Sequence, residues 1–136
     1  MQIEYVMSVI TDPNHSEYVM IAKNRPDFLK GKTTFIGGKV EVNGNIYDAM
    51  VREAKEECGL CIDPENIGLI LGEDYVVYVF CAVTEHIYEA ETMEDEVVRI
   101  YTKEEILESS DNVLADNVKA IIHFSNGAQK SFTIRQ

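Results

Sequence analysis

Residues 38–60 read GKVEVNGNIYDAMVREAKEECGL, and the spacing of acids in this stretch decides how the rest of the chain is read. Glu53, Glu56 and Glu57 stand three and four residues apart, and side chains at i, i+3 and i+4 share one face of an α-helix. Tyr47, Met50, Val51, Ala54 and Cys58 fill an adjoining arc, which is the pattern of a helix docked on a core. Asn43-Gly44 reads as a turn, Asn45 as the helix cap with Asp48 three residues on, and Gly59 as the left-handed residue that ends the helix. The segment is therefore expected to be loop, helix, loop, with an acid face beside a core face.

Such an acid face is unfavourable when empty. Glu53 repels Glu56 and Glu57 by a few tenths of a kcal/mol, roughly, per helical pair. The last two also approach the helix C-terminus, where the backbone's partial negative charge opposes a carboxylate by about 0.3–1 kcal/mol. Oxygen ligands gathered against both effects suit a hard divalent cation such as Mg²⁺, which is held by carboxylates, waters and substrate phosphates. The alternative is a solvated face with Arg52 and Lys55 as counter-ions.

The same segment resembles the signature of the Nudix hydrolases: Gly, five residues, Glu, seven residues, then Arg-Glu-apolar-x-Glu-Glu-x-Gly-apolar. Gly38, Arg52, Glu53, Ala54, Glu56, Glu57, Gly59 and Leu60 fall at matching positions without a gap. One position departs, since the family's first Glu falls on Gly44. The Trp and Pro common ahead of the family's glycines are replaced by Thr33 and Ile36. The resemblance implies an α/β/α sandwich with a mixed central sheet. It also implies metal held by Glu53, Glu56 and Glu57 with a backbone carbonyl of Gly37 or Gly38, and Arg52 holding the helix face. For the general base, Glu53 is favoured over Glu94 and Glu96 of a later acidic stretch, with Glu94 also a candidate metal ligand.

The rest of the chain is compatible with that frame. At 136 residues it is one domain, 1–136, large enough for a core without disulfides. Residues 3–10 and 18–23 read as strands joined by a polar turn, and 33–36 as a short strand delivering the chain to Gly37-Gly38, where two glycines either let the backbone approach a ligand and expose carbonyl oxygens or simply form a bend. Apolar runs at 67–71 and 75–83 read as buried strands, 97–101 as another, 103–108 as a helical turn, 113–124 as a helix and 131–134 as a last β-like piece after an Asn126-Gly127 turn. Strands interleaved with two substantial helices predict a mixed sheet covered on both faces.

Charge narrows the function. A formal charge of −12 argues against nucleic-acid binding, which needs a basic surface. Five of the twelve Lys and Arg residues (Lys23, Arg25, Lys30, Lys32 and Lys39) lie in seventeen consecutive residues leading into the acid helix. Lys23, Arg25 and Lys39 are the candidates to face a phosphate. No apolar run reaches the ~20 residues that span a bilayer. Three cysteines and no charged leader ahead of an apolar run favour a cytoplasmic protein. His15, His86 and His123 lack zinc-site spacing, and no Gly-x-Ser-x-Gly elbow or Gly-Lys-Ser/Thr loop is present.

The expectation is a Mg²⁺-dependent pyrophosphohydrolase, with Mn²⁺ as an alternative ion, present as a monomer or homodimer. Its small-molecule substrate is a nucleoside diphosphate linked to another group, foremost a nucleoside triphosphate cleaved to monophosphate and pyrophosphate. Alternatives are a nucleotide-sugar or dinucleoside-polyphosphate hydrolase, or a Nudix-fold sensor that binds nucleotide without cleaving it.

Overall fold

The computed structural model describes residues 2–126 and 131–136. Its centre is a parallel pair, β1 (Ile3–Thr11) and β6 (Tyr75–Val83), in register from Ile3↔Tyr75 to Thr11↔Val83. Both strands are nearly continuous apolar runs because both faces are covered. Alternation then sends Val6 and Ile10 to one side and Val9 to the other. Outward from β6 lie β5 (Glu65–Leu71), antiparallel to it, and β8 (Phe132–Arg135), parallel to β5.

On its other side β1 pairs with β2 (Glu17–Ala22) near Thr11 and with β4 (Ile36–Lys39) along Tyr5–Ser8. β2 in turn pairs with β3 (Thr33–Thr34) and β7 (Val98–Thr102), all antiparallel. One layer of core, with Val6, Ile10, Ile21, Ile36 and Phe80, packs under α1 (Ile46–Cys58). The other, with Val9, Tyr18, Met20, Phe35, Ile70 and Val79, packs under α2 (Lys103–Glu108) and α3 (Val118–Asn126). The α/β/α sandwich with a mixed sheet is thus the observed fold. Among the described residues no helix is long and apolar enough to cross a membrane.

α1 forms as its sequence requires. The Asn45 side chain accepts hydrogen bonds from the Tyr47 and Asp48 N–H groups, and Gly59 closes the helix at φ 79°. Met50, Ala54 and Cys58 are buried as the periodicity predicts. Tyr47 is not: it is 40% exposed and donates its hydroxyl to Asp63 at 2.7 Å. Ala49 takes the buried place instead, because the core face is rotated toward it.

Three other expectations need correction. The strand expected at 33–36 is split into β3 and β4, and Gly37-Gly38 lies inside β4, which removes the alternative of a simple bend there. A Cβ on Gly37 would sit 2.2 Å from the Val6 carbonyl oxygen, so only glycine lets this strand run so close to β1. The helix expected from 113 begins at Val118. Asn117 takes φ 72°, which breaks helical propagation, and Leu114 instead bridges Thr33. Val113, the first residue of the expected helix, is 45% exposed. The Asn126-Gly127 turn extends outside the described residues.

The docking of α1 on the sheet rests on few side chains, and Met50 is fully buried among them. Met50→Ala is expected to destabilise the protein by about 2–5 kcal/mol, read from urea unfolding with an unchanged m-value.

Candidate active site

β4 and α1 bring the carboxylates to one place. Glu57 is 8% exposed and accepts the Gly37 N–H at 3.0 Å. Glu53, one turn earlier, has a side chain only 13% exposed and lies over Gly38. A Cβ on Gly38 would fall 1.9 Å from Glu53 Oε2, so the missing side chain is the space this carboxylate fills. Glu56 faces outward instead, its side chain 48% exposed and 3.3 Å from Arg52 Nη1. Arg52 Nη1 also lies 3.9 Å from Glu53 Oε1, so one guanidinium serves both acids. The three carboxylates expected on a single face are therefore divided into two inner groups and one outer.

Burial sets the charge state of the inner pair. It pushes Glu57 up to about 7 against the opposing pull of the Lys23 charge and the Gly37 N–H, with Glu53 and Glu96 adding like-charge repulsion. Burial likewise raises Glu53, helped by Glu56 and Glu94 and opposed by Arg52 and Lys23. Two carboxylates held apart from water and close to each other are a strained arrangement that a divalent cation would relieve.

The backbone offers a further oxygen. The β1–β4 ladder runs through Val40 N–H to the Glu4 carbonyl, with Val6↔Gly38 and Met7↔Gly37 the next partners. Antiparallel pairs alternate between hydrogen-bonded and non-bonded, which places Gly38 in the ladder and turns Gly37 away from β1. Its N–H indeed reaches Glu57, and in an extended strand its carbonyl points to the same side. Of the two glycines, Gly37 is thus the better carbonyl donor, while Gly38 supplies room. Among the described residues no three His, Cys, Asp or Glu side chains form a ready cation nest. The donor set fits Mg²⁺ nonetheless, since that ion is commonly held by one or two carboxylates completed by water and phosphate oxygens.

Two loops flank this pair. Lys23, at the end of β2, meets Glu96 at 2.8 Å in a buried ion pair, and Glu96 also accepts the Asn24 N–H at 2.6 Å. Burial alone would raise the Glu96 pKa, but Lys23 and the Asn24 N–H outweigh it and hold it below the usual range. Both oxygens of Glu96 are taken, which disfavours it as a base. Glu94 is exposed, and its charge contributes to the upward shift of Glu53. Arg25 is exposed and bonded through both terminal nitrogens to Asp95. Lys39 is exposed at the end of β4. Sequence reading missed Asp95 and the pairing of Lys23 with Glu96. The signal available in the sequence is the opposite charge of the basic segment 23–39 and the acid-rich segment 85–96.

A family model for the NUDIX domain matches residues 1–121. The chain belongs to the Nudix hydrolase family. Solved structures agree in fold. A NUDIX hydrolase from Nitrosomonas europaea superposes with a TM-score of 0.77 at 16% identity, covering 99% of this chain and 80% of that one. The mutator MutT protein from Bacillus halodurans gives 0.71 at 23% identity, covering 96% and 89%. The NUDIX domain of Shewanella oneidensis NrtR, complexed with ADP ribose, gives 0.77 at 14% identity, covering 92% and 86%. No curated protein matches the chain significantly.

Two glycine variants separate fold from site. Gly37→Ala drives a Cβ into the β1 backbone and is expected to cost at least about 2 kcal/mol of stability. Gly38→Ala meets only the flexible end of Glu53, so stability is expected to stay within about 1 kcal/mol of wild type while divalent-cation binding weakens on the order of tenfold. Urea unfolding and calorimetric Mg²⁺ titration of both variants check the contrast.

The pH dependence follows from Glu57. The unfolded chain releases this proton near the ordinary value of 4.5, whereas the folded chain holds it to about 7. Stability is therefore lost as pH rises from about 4.5 to 7, by an amount on the order of 1–3 kcal/mol. In EDTA, the stability of Glu57→Gln minus that of wild type is expected to grow across this window and level off above it. A constant difference from pH 4.5 to 8 would contradict the assignment.

Proposed function

We propose that this protein is a Mg²⁺-dependent pyrophosphohydrolase, with Mn²⁺ an alternative ion, acting on a nucleoside diphosphate linked to another group. A nucleoside triphosphate cleaved to monophosphate and pyrophosphate is the foremost substrate. The observation that carries this reading is the buried Glu53–Glu57 pair laid against Gly37 and Gly38, with Arg52 shared between Glu53 and Glu56.

In this reading Glu53, Glu56 and Glu57 hold the ion, joined by the Gly37 carbonyl and, from the flanking loop, Glu94; the Gly38 carbonyl is the weaker candidate. A divalent ion bound there neutralises phosphate charge and lowers the pKa of water. Glu53 is the group assigned to take the proton from the attacking water. Burial raises its proton affinity toward what a base working near neutral pH requires, and its carboxylate has a fixed seat over Gly38. Arg52 fixes the orientation of that carboxylate and balances the charge of Glu56. Lys23, Arg25 and Lys39 supply positive charge on the side from which a phosphate chain enters. Lys23 does so from inside its pair with Glu96, as a fixed charge more than a free ligand. The likeness to MutT proteins supports a nucleotide pyrophosphohydrolase without naming its substrate, and the NrtR complex with ADP ribose supports a nucleoside diphosphate conjugate as the alternative.

Formation of nucleotide products is followed by chromatography for nucleoside triphosphates, nucleotide sugars, ADP-ribose and dinucleoside polyphosphates, with Mg²⁺ and with EDTA. Turnover confined to one class, abolished by EDTA and reduced about 100-fold or more in a folded Glu57→Gln variant, is the expected result. Full activity in that variant would sink the assignment of the helix carboxylates. Nucleotide binding without any turnover would favour a sensor.

A further inference from the structure

The loop that follows β2 and the loop that precedes β7 are tied together at two levels. The inner tie is buried: the Lys23 and Glu96 side chains are 17% and 7% exposed, and the Asn24 N–H adds a second bond to the same carboxylate. The outer tie is open to solvent: Arg25 Nη1 and Nη2 reach Asp95 Oδ2 and Oδ1 at 3.1 and 3.2 Å, with side chains 68% and 59% exposed.

These two ties differ in what they are suited to do. The inner one fixes the bases of both loops, so it survives changes at the surface. The outer one uses the guanidinium fork, whose two parallel N–H groups match a carboxylate and a phosphate equally well. An exposed pair of this kind is weakly held and screened by salt. Asp95 also lies next to Glu96, which is bonded to Lys23, in the loop whose Glu91 N–H donates to the Cys58 carbonyl at 3.0 Å, beside Glu57 at the end of α1. The pair thus borders the candidate active site.

We propose that Asp95 occupies Arg25 in place of a substrate phosphate, so that a phosphate chain entering the site must first take Arg25 from Asp95. Asp95 is thereby an affinity-determining residue that sets how tightly anions bind, without touching the reacting atoms. The inference rests on the reading that this site takes a phosphate chain. When a binding group is free for only a fraction of the time, apparent affinity falls by that fraction. Removing the competing carboxylate restores it.

The test is calorimetric binding of inorganic tripolyphosphate with Mg²⁺, a probe that carries the phosphate chain without a base and whose binding needs no nucleotide turnover. Asp95→Asn is expected to lower Kd roughly three- to tenfold and Arg25→Ala to raise it. The double variant is expected to match Arg25→Ala alone. Asp27→Asn, which removes the same charge from the loop bearing Arg25 and breaks no ion pair among the described residues, is expected to leave Kd within about twofold of wild type. An unchanged Kd in Asp95→Asn, equal tightening in Asp27→Asn, tightening that persists without Arg25, or no binding by either wild type or Asp95→Asn overturns the proposal. The expected pattern in a protein that cleaves no nucleotide would leave the competition standing and remove the hydrolase reading.

Discussion

The constraint on which the structure turns is the burial of two carboxylates between a helix and a strand. Glu53 and Glu57 are sheltered from water at the α1–β4 seam, where burial raises the proton affinity of both and the charge of Glu53 raises that of Glu57 further. Within α1, Arg52 offsets part of this at Glu53, while Glu57 lies in the last turn, where the backbone's partial negative charge repels it. The opposing stabilisation comes from packing: Met50, Ala54 and Cys58 bind the other side of α1 to the sheet, with Ile10, Ile36 and Phe80 in the same cluster. The apolar face holds the helix in place while the acid face is kept short of partners. A seam of this kind stores unfavourable electrostatics where a cation and an anion can discharge it.

β4 makes that seam narrow enough to matter. Ordinary side chains at positions 37 and 38 would lift the strand from β1 or push Glu53 out of its seat. With neither present, the strand is held to β1 on one edge and presents the Gly37 N–H to Glu57 on the other. The pairing of β1 with β6 gives β4 a rigid backing, since β1 lies at the centre of the sheet with core on both sides. The fold's central strand therefore positions the site at one remove, through a strand of four residues.

How much of this the sequence discloses depends on whether the information is local. The helix, its Asn45 cap, its Gly59 end and the seat of Met50, Ala54 and Cys58 are set by spacing within one segment, and all are present. The division of the carboxylates is not local. Whether Glu56 or Glu57 faces inward depends on where β4 crosses the helix, which no periodicity in α1 encodes. Tyr47 and Ala49 exchange places for the same reason. The loss of the first helical turn at 113–117 follows from a tertiary bridge between Leu114 and Thr33 and from the left-handed Asn117, both invisible to an apolar pattern that continues through them. The pairing of Lys23 with Glu96 spans 73 positions, and only charge complementarity hinted at it.

Gly44 shows how a departure from a family pattern can be absorbed by the backbone. The position that carries a carboxylate in the family here follows Asn43 at φ 64°, and the Gly44 N–H closes a turn onto the Glu41 carbonyl at 2.8 Å. A Cβ at Gly44 would lie 2.8 Å from that same oxygen, so a Glu could not be accommodated without opening the turn. Glu41 and Asp48, the acids nearest in sequence, are both exposed and do not take its place. What a side-chain carboxylate would do at this junction is done instead by the closed turn and by Asn45, whose amide oxygen holds two N–H groups of the first helical turn. The entry to α1 is thus fixed by backbone geometry and a neutral cap, and the charged groups of the helix remain concentrated at its far end. One negative charge fewer ahead of α1 leaves Glu53 and Glu57 as the carboxylates sheltered at this seam.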